Sequence, residues 1–421
     1  MTGIVAELYA RSMRYFTEYF DLLSPKARRL VLGVGFNAIG GGMTMSLLLV
    51  YLHDMRGFTT TFGGLLLAWS AGMSLVIGGP SGALIDRIGP KKVILIGLLL
   101  KISATAAWAF VDNKTTAVIV ATVSAIGDST TWPGQTVMLT RMTKPEDRQK
   151  IFGLNFMLLN LGLGLGGLIS SLIVSNSSLR SYQILYLVDT CTFIVFFLAI
   201  YSLKGPEVGK YVAKENEPQT GSYAELLKIP SLMRLSLGGL ILMIFGYGAT
   251  MSGIPLFATQ VLDLSPKWLG VIFAANTATI FVLQPLVLKL LARISKQRAL
   301  VSVSLIWALS WIFVGVAPLA PLFVAGILLS ISQIVFAFGE MVWSPTSPAL
   351  ANELSPEHLR GRTNALMGMQ WGVSGVIGPA VAGMMIDANL GILWVALMTL
   401  GALIPIQLFR GVRSASSAIH S

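Results

Sequence analysis

Gly82-Ala-Leu-Ile-Asp86-Arg87-Ile-Gly89-Pro90-Lys91-Lys92 separates two long apolar segments, Phe62 to Ile85 and Val93 to Val111. Charges crowded between two such segments describe a tight turn outside a hydrocarbon layer. Apart from Asp86 they are all positive, which places the turn on the cytoplasmic side. The orientation of every other segment follows from it.

The composition agrees. Of 421 residues, 54% are hydrophobic and only 12% charged, about half the charge of a soluble domain. A soluble chain could not hide that much apolar surface, so a large globular enzyme is excluded in favour of a polytopic membrane protein. The net charge of +11 would suggest nucleic acid as a partner in a soluble protein. The single cysteine, Cys191, lies in an apolar run with no second thiol to bond or to share a metal. His53, His358 and His420 are scattered at segment ends and in the tail. No nucleophile–base pair, metal-ligand cluster or Walker-type loop is present, so catalysis is not expected. Residues 1–29 are amphipathic and charged, without the continuous apolar core of a cleavable signal.

Val5, Tyr9, Met13, Phe16, Phe20 and Leu23 recur at helical spacing with charges between them. They predict an interfacial helix on the cytoplasmic leaflet. Twelve apolar spans follow, over about 30–52, 62–85, 93–111, 115–139, 151–174 and 183–203, then 232–258, 267–292, 299–317, 321–350, 364–387 and 389–410. The expected organisation is a cytoplasmic segment 1–29, a six-helix bundle 30–203, a linker 204–231, a second bundle 232–410 and a tail 411–421. The linker is polar, with at most a short helix near Tyr223–Lys228. Counted by side, twenty-four Lys and Arg fall in inner segments and four (Arg56, Lys114, Arg180, Lys267) in outer ones. That bias puts both termini inside and accounts for the basic charge without nucleic acid.

The halves repeat. Gly127-Asp128 in span 4 matches Gly339-Glu340 in span 10, and at the same offset Pro133 meets Pro345, Arg148 meets Arg360 and Gly166 meets Gly378. The inner loops Pro145-Glu146-Asp147-Arg148 and Pro356-Glu357-His358-Leu359-Arg360 correspond with one residue of slip. Two six-helix halves in one orientation mark a duplicated transporter fold. Together with Gly82, Leu84, Asp86, Arg87, Gly89 and Lys91, which follow the pattern Gly-x-Leu-x-Asp-Arg-x-Gly-Arg-Lys except at Pro90, this chain resembles the major facilitator superfamily, in particular its proton-coupled drug antiporters. The Gly-Pro motif such antiporters carry in span 5 is missing at Gly166-Gly167, while its repeat mate Gly378-Pro379 has it. Gly162-Leu-Gly164-Leu-Gly166-Gly167 has no strand before it and reads as a helix-packing run, not a phosphate loop.

An ionisable group at membrane depth costs roughly 2.5–3.5 kcal/mol, so each needs a reason. The resemblance places spans 1, 4, 7 and 10 around a central cavity, and with them Asp128 and Glu340. Both are expected to couple transport to protons or to hold a cationic substrate, since loss of water favours the uncharged carboxyl. On their helices Gln135, Trp132 and Trp343 are expected cavity residues, with Asn37 and Asn276 as further polar contacts. Gln284 joins these amides, which also serve as helix–helix glue. Trp69 and Phe245 are expected to add aromatic lining. Lys101, near the middle of span 3, is expected to snorkel toward the inner interface, with pairing to Asp128 as the other option. Asp189 reads as structural. In the family the acid equivalent to Asp86 contacts the start of span 11 and basic residues at the inner end of span 4, which nominates Arg141 and Arg148. Gly82, Asp86, Arg87, Gly89, Lys91 and Lys92 with that pair form the expected conformational latch. Leu290 to Arg298 is its counterpart, with Ala292 in the acid's place, so the latch is expected on one side only.

The resemblance implies a secondary transporter working by alternating access in the plasma (inner) membrane, monomeric, with no cofactor beyond a proton gradient and no metal. Its partners are the bilayer, protons and a small molecule. Export of a hydrophobic or amphipathic compound is the favoured expectation. Nutrient symport, lipid or glycolipid flipping and a non-transporting sensor are the alternatives. The topology has a direct check: a fluorescent protein fused after Arg413 should fluoresce, and alkaline phosphatase at the same place should be inactive.

Overall fold

The computed structural model describes residues 2–45, 47–174, 178–213, 218, 221–265 and 267–413. No strand occurs among them. Twelve long helices follow the expected order: Pro25–Met55, Thr60–Ile88, Pro90–Trp108, Lys114–Arg141, Arg148–Ile173 and Leu179–Ser202, then Pro230–Val261, Lys267–Leu291, Lys296–Leu319, Leu322–Leu354, Arg360–Asp387 and Gly391–Arg410. They are spans 1 to 12. Ten are long and apolar enough to cross a membrane by length and composition. The other two, spans 3 and 4, carry lysines and a polar stripe instead, and both pack within the first bundle. Nine of the twelve, all but spans 6, 8 and 12, overrun their apolar segments at the end that carries the Gly82–Lys92 turn, since a helix continues into the polar layer until a cap stops it. That end, which also carries the start of span 1 and the end of span 12, is the inner end.

Without water to drive them together, helices in lipid associate through close packing of small residues. The seam of spans 1 and 5 shows this. A Cβ on Gly166 would lie 2.0 Å from the Ile39 carbonyl oxygen, and one on Gly42 2.2 Å from that of Leu163. The second half repeats the seam with spans 7 and 11, where a Cβ on Gly378 would lie 2.2 Å from the Gly248 carbonyl carbon. The glycine run 162–167 is therefore a packing surface inside one continuous helix.

The N-terminal helix, Thr2–Asp21, differs from the expectation of a helix lying on lipid. Tyr19 is buried with Leu288 and Leu291 of span 8, and the Lys289 ammonium sits 5.1 Å over the Tyr15 ring. Phe16 and Phe20, on the neighbouring stripe, pack on the core of the first half. From Tyr15 to Phe20, protein covers its apolar side. The linker is tied down as well. Lys26 pairs with Glu207 at 3.1 Å, and that carboxyl is held below its usual range by its own backbone N–H and by Lys26. A capping box of Ser222 and Glu225 starts the short helix Tyr223–Leu227, whose Tyr223 hydroxyl donates to the Gly79 carbonyl of span 2 at 2.7 Å. Of the expected tail, only residues up to Arg413 fall within the described structure.

Replacing Gly166 by Ala should lower the thermal unfolding midpoint, an overpacking cost of about 1–3 kcal/mol. The neighbouring Gly167→Ala, with nothing within 4 Å of the added methyl, should leave it unchanged or raise it.

Candidate functional site

A cavity of about 270 Å³ lies between the halves, near the lower end of the ~300–1,000 Å³ typical of small-molecule pockets. Spans 1, 4, 5, 7, 10 and 11 line it. Trp132 and Gln135 of span 4 face Trp343 of span 10 across it, as expected, with Met243, Met251 and Phe156 completing an apolar wall. Asn155, Asn160 and Gln370 supply polar edges.

Glu340 belongs to this wall and is only 6% exposed. The Asn276 amide donates to its Oε2 at 2.6 Å, and the Tyr247 phenol hydrogen-bonds to it. Among the described residues, no Lys or Arg is a hydrogen-bond or ion-pair partner of Glu340. Tyr247 is fixed in turn by aromatic neighbours, tilted against Trp371 at 4.5 Å and edge-on to Trp307 and Phe336. A buried carboxyl group thus stands in a cavity wall, held by neutral donors alone.

Its repeat mate has a different setting. Asp128 lies on the same face of span 4 as Trp132 and Gln135, one turn further from the inner end, and its side chain is 61% exposed. It does not line the cavity. Lys101 reaches it at 3.0 Å and also donates to the Ser124 hydroxyl at 3.0 Å. Snorkelling toward the inner interface is therefore not what Lys101 does: a carboxylate one helix away is a nearer partner than water beyond the bilayer. The repeat explains the asymmetry. Lys101 packs against Gly127, the residue before Asp128, and in the second half Trp307 packs against Gly339, the residue before Glu340. An indole stands where the first half has an ammonium, so Asp128 has a cation and Glu340 has none.

Asn37 turns away from the cavity and donates to the Thr192 hydroxyl of span 6 at 3.1 Å. Asn276 meets Glu340 from behind the wall. Asp189 is buried between spans 1 and 6, accepting from Thr44 at 2.8 Å and Thr192 at 3.2 Å, which is the structural part expected of it. Trp69 and Phe245 do not line the cavity. The Trp69 indole donates to Thr122, and Phe245 packs against Gly401 of span 12. Gln284 is fully buried, donating to the Met341 carbonyl.

At the inner end Asp86 crosses from one half to the other. Its Oδ1 accepts from the Gly361 N–H at 2.6 Å, and its Oδ2 from the Arg362 N–H at 3.1 Å and the Arg362 guanidinium at 2.8 Å. A carboxylate thus caps the first turn of span 11, where N–H groups lack acceptors and the helix dipole is positive. The ionic partner is Arg362, not Arg141 or Arg148. Arg141 instead donates to the Gly209 carbonyl at 2.9 Å and stands 3.7 Å from Glu357. Arg148 is buried beside Arg360 and Glu357. Gly82 permits the approach, for a Cβ there would lie 2.6 Å from that of Ala365. Gly89 has φ +93° and faces the linker backbone at Gly209 and Lys210, a position only glycine fits without strain. Lys91 donates to the Tyr201 and Leu203 carbonyls at the end of span 6, while Arg87 and Lys92 are exposed. In the second half Leu288 meets Gly153 as Gly82 meets Ala365, and Ala292 has no carboxylate to offer span 5.

The model of the Major Facilitator Superfamily matches residues 30–379. The chain belongs to that superfamily. An uncharacterised MFS-type transporter, YttB of Bacillus subtilis (strain 168), is 24% identical over 368 residues, covering 86% of this chain and 89% of YttB. The quinolone resistance protein NorA of Staphylococcus aureus (strain MRSA252) is 24% identical over 229 residues, 54% of this chain and 57% of NorA. Among solved structures, a bacterial homologue of the iron transporter ferroportin in its outward-facing state superimposes with a TM-score of 0.75 at 12% identity, covering 92% and 99% of the two chains.

The residues that sequence reasoning missed in this MFS chain are Tyr247, Gln370, Trp371 and Arg362. Tyr247 lies in a widened turn, Ile244–Gly248, which shifts the face that a 3.6-residue period would assign. Arg362 was one of several inner-end cations, and only the fold tells which one meets Asp86. Asp86→Asn removes charge-assisted bonds of about 1.5–3 kcal/mol, a ten- to hundredfold shift in a two-state balance. Cysteines placed at the inner ends of spans 2 and 11 should then become markedly more reactive from the cytoplasmic side.

Proposed function

We propose that this MFS transporter exports a hydrophobic or amphipathic small molecule in exchange for protons, with Glu340 as the proton-binding group. The observation that carries the proposal is the setting of Glu340, a buried carboxyl in the wall of the cavity between the halves with only an amide and a phenol as partners. Uncompensated charge is costly there, and taking up a proton removes it. A change in access or in cavity occupancy that rearranges Tyr247 would alter the cost, and so link proton binding to substrate. The aromatic and methionine lining suits apolar substrates without strict geometry. The partial likeness to NorA supports export of this kind, and the Asp86 latch supports a cycle in which the inner end closes while the cavity serves the other side.

Asp128 and Lys101 take another part in this scheme. Their exposed ion pair lies one turn along the same face of span 4 as the cavity residues, so it is placed to meet a charged substrate group on its way past, not to store a proton in a dry site.

Everted membrane vesicles and a fluorescent dye such as ethidium or a bisbenzimide test the scheme. Wild-type vesicles energised by respiration should accumulate dye and release it when a protonophore is added. Glu340→Gln should reduce accumulation to background while leaving dye affinity within a few-fold. Protonophore-sensitive transport undiminished in Glu340→Gln would falsify its coupling role. Dye moving the other way would favour uptake, and no movement of any substrate a non-transporting sensor.

A further inference from the structure

The short inner loops of the two repeats differ by one residue, and the difference removes a partner from a buried arginine. In the second half Glu357 precedes Arg360 by three positions, and the two pair at 3.1 Å. In the first half the loop is one residue shorter. Glu146 precedes Arg148 by two, a spacing that does not put side chains on one face of a helix, and Glu146 is exposed. Arg148 is nevertheless 91% buried (9% exposed), makes no hydrogen bond or ion pair among the described residues, and leaves its Nε without an acceptor. Arg141 and Arg360 border the same place. Both stand against the one carboxylate of Glu357, and each has a buried Nε with no hydrogen-bond acceptor among the described residues, that of Arg141 being 3.7 Å from Glu357.

Two guanidinium groups, of Arg141 and Arg360, therefore share the Glu357 carboxylate at the joint between the halves, and Arg148 stands beside them with no ion pair among the described residues. Among the described acids around it, Glu353 pairs with Lys296, Asp147 with Lys150 and Asp86 with Arg362, and Glu146 is exposed. Buried charge requires a counter-charge, and guanidinium forks match the oxygens of a phosphate group in spacing and direction. The first N–H groups of span 5 add to the same demand, since no side chain caps them.

We infer that Arg148, with Arg141 and Arg360, forms an anion site for a phosphate group at the inner joint. The group is either the phosphate of a lipid headgroup with net negative charge, which phosphatidylcholine lacks, or free inorganic phosphate. Arg141 and Arg148 belong to the first half and Arg360 to the second, so the bound anion ties the halves on the same side as Asp86 and holds the inner end closed. It must leave, or lose one half, when that end opens.

The test uses the full chain in nanodiscs and reads the thermal unfolding midpoint. In one arm the discs are neutral phosphatidylcholine, and sodium phosphate is titrated against sodium chloride at equal ionic strength. In the other, phosphatidylglycerol replaces part of the lipid with no phosphate added. The wild-type midpoint should rise by about 3 °C or more in at least one arm. Arg148→Gln should abolish that rise, Arg148→Lys should keep part of it, and Arg298→Gln, an exposed arginine at the same end, should keep all of it. A rise with phosphate alone assigns the free anion, and with phosphatidylglycerol the headgroup. No rise in either arm overturns the inference, as does an equal rise in wild type and Arg148→Gln. Should Arg148→Gln not fold, Arg360→Gln takes its place with the same expectation.

Discussion

One carboxylate, that of Asp86, is bonded to three N–H groups of the other half, and the architecture depends on this being possible at one end only. Inside the hydrocarbon such a bond would leave charge in a medium that cannot solvate it. At the inner end the Gly82–Lys92 turn emerges into the polar layer, and span 11 presents an uncapped first turn there. The bond satisfies both. Gly82 is part of the same arrangement, since no side chain fits where span 2 crosses Gly361 and Ala365.

The two halves share a backbone plan and have diverged in chemistry. The glycine seams of spans 1 and 5 and of spans 7 and 11 superimpose in kind. What differs is the residue set against the glycine that precedes each mid-helix acid, Lys101 in one half and Trp307 in the other. That exchange leaves an ion pair with an exposed carboxylate on one side and, on the other, an enclosed carboxyl with no cation paired to it among the described residues. A duplicated frame thus holds two unlike acids, and the proposed division of labour between them follows from the third helix of each half.

Twelve helices and the repeat were legible because hydrocarbon thickness leaves few alternatives for the length of an apolar segment. The site was legible in part. Glu340, Trp132, Gln135 and Trp343 lie where their helices predicted. Asn37 does not, and the reason is angular: three residues past the cavity-lining Val34, it is turned by about 60°, enough to face span 6. Pairing of Lys101 with Asp128 was the second of two readings, and the repeat did not decide between them because the repeat mate Trp307 lies at an offset of 206 (307 − 101), whereas Asp128 and Glu340 are 212 apart (340 − 128). A single offset does not align both. The partner of Asp86 was hidden among many like charges, which differ only in what surrounds them.

The helix Thr2–Asp21 rests with Tyr15 and Tyr19 on one half and Phe16 and Phe20 on the other. Any motion that parts the inner ends must peel one of these aromatic pairs from its seat, and the work of peeling is added to the work of breaking the Asp86 bonds. Two aromatic pairs, none of whose rings lines the cavity, therefore weigh on the rate at which the cavity changes sides.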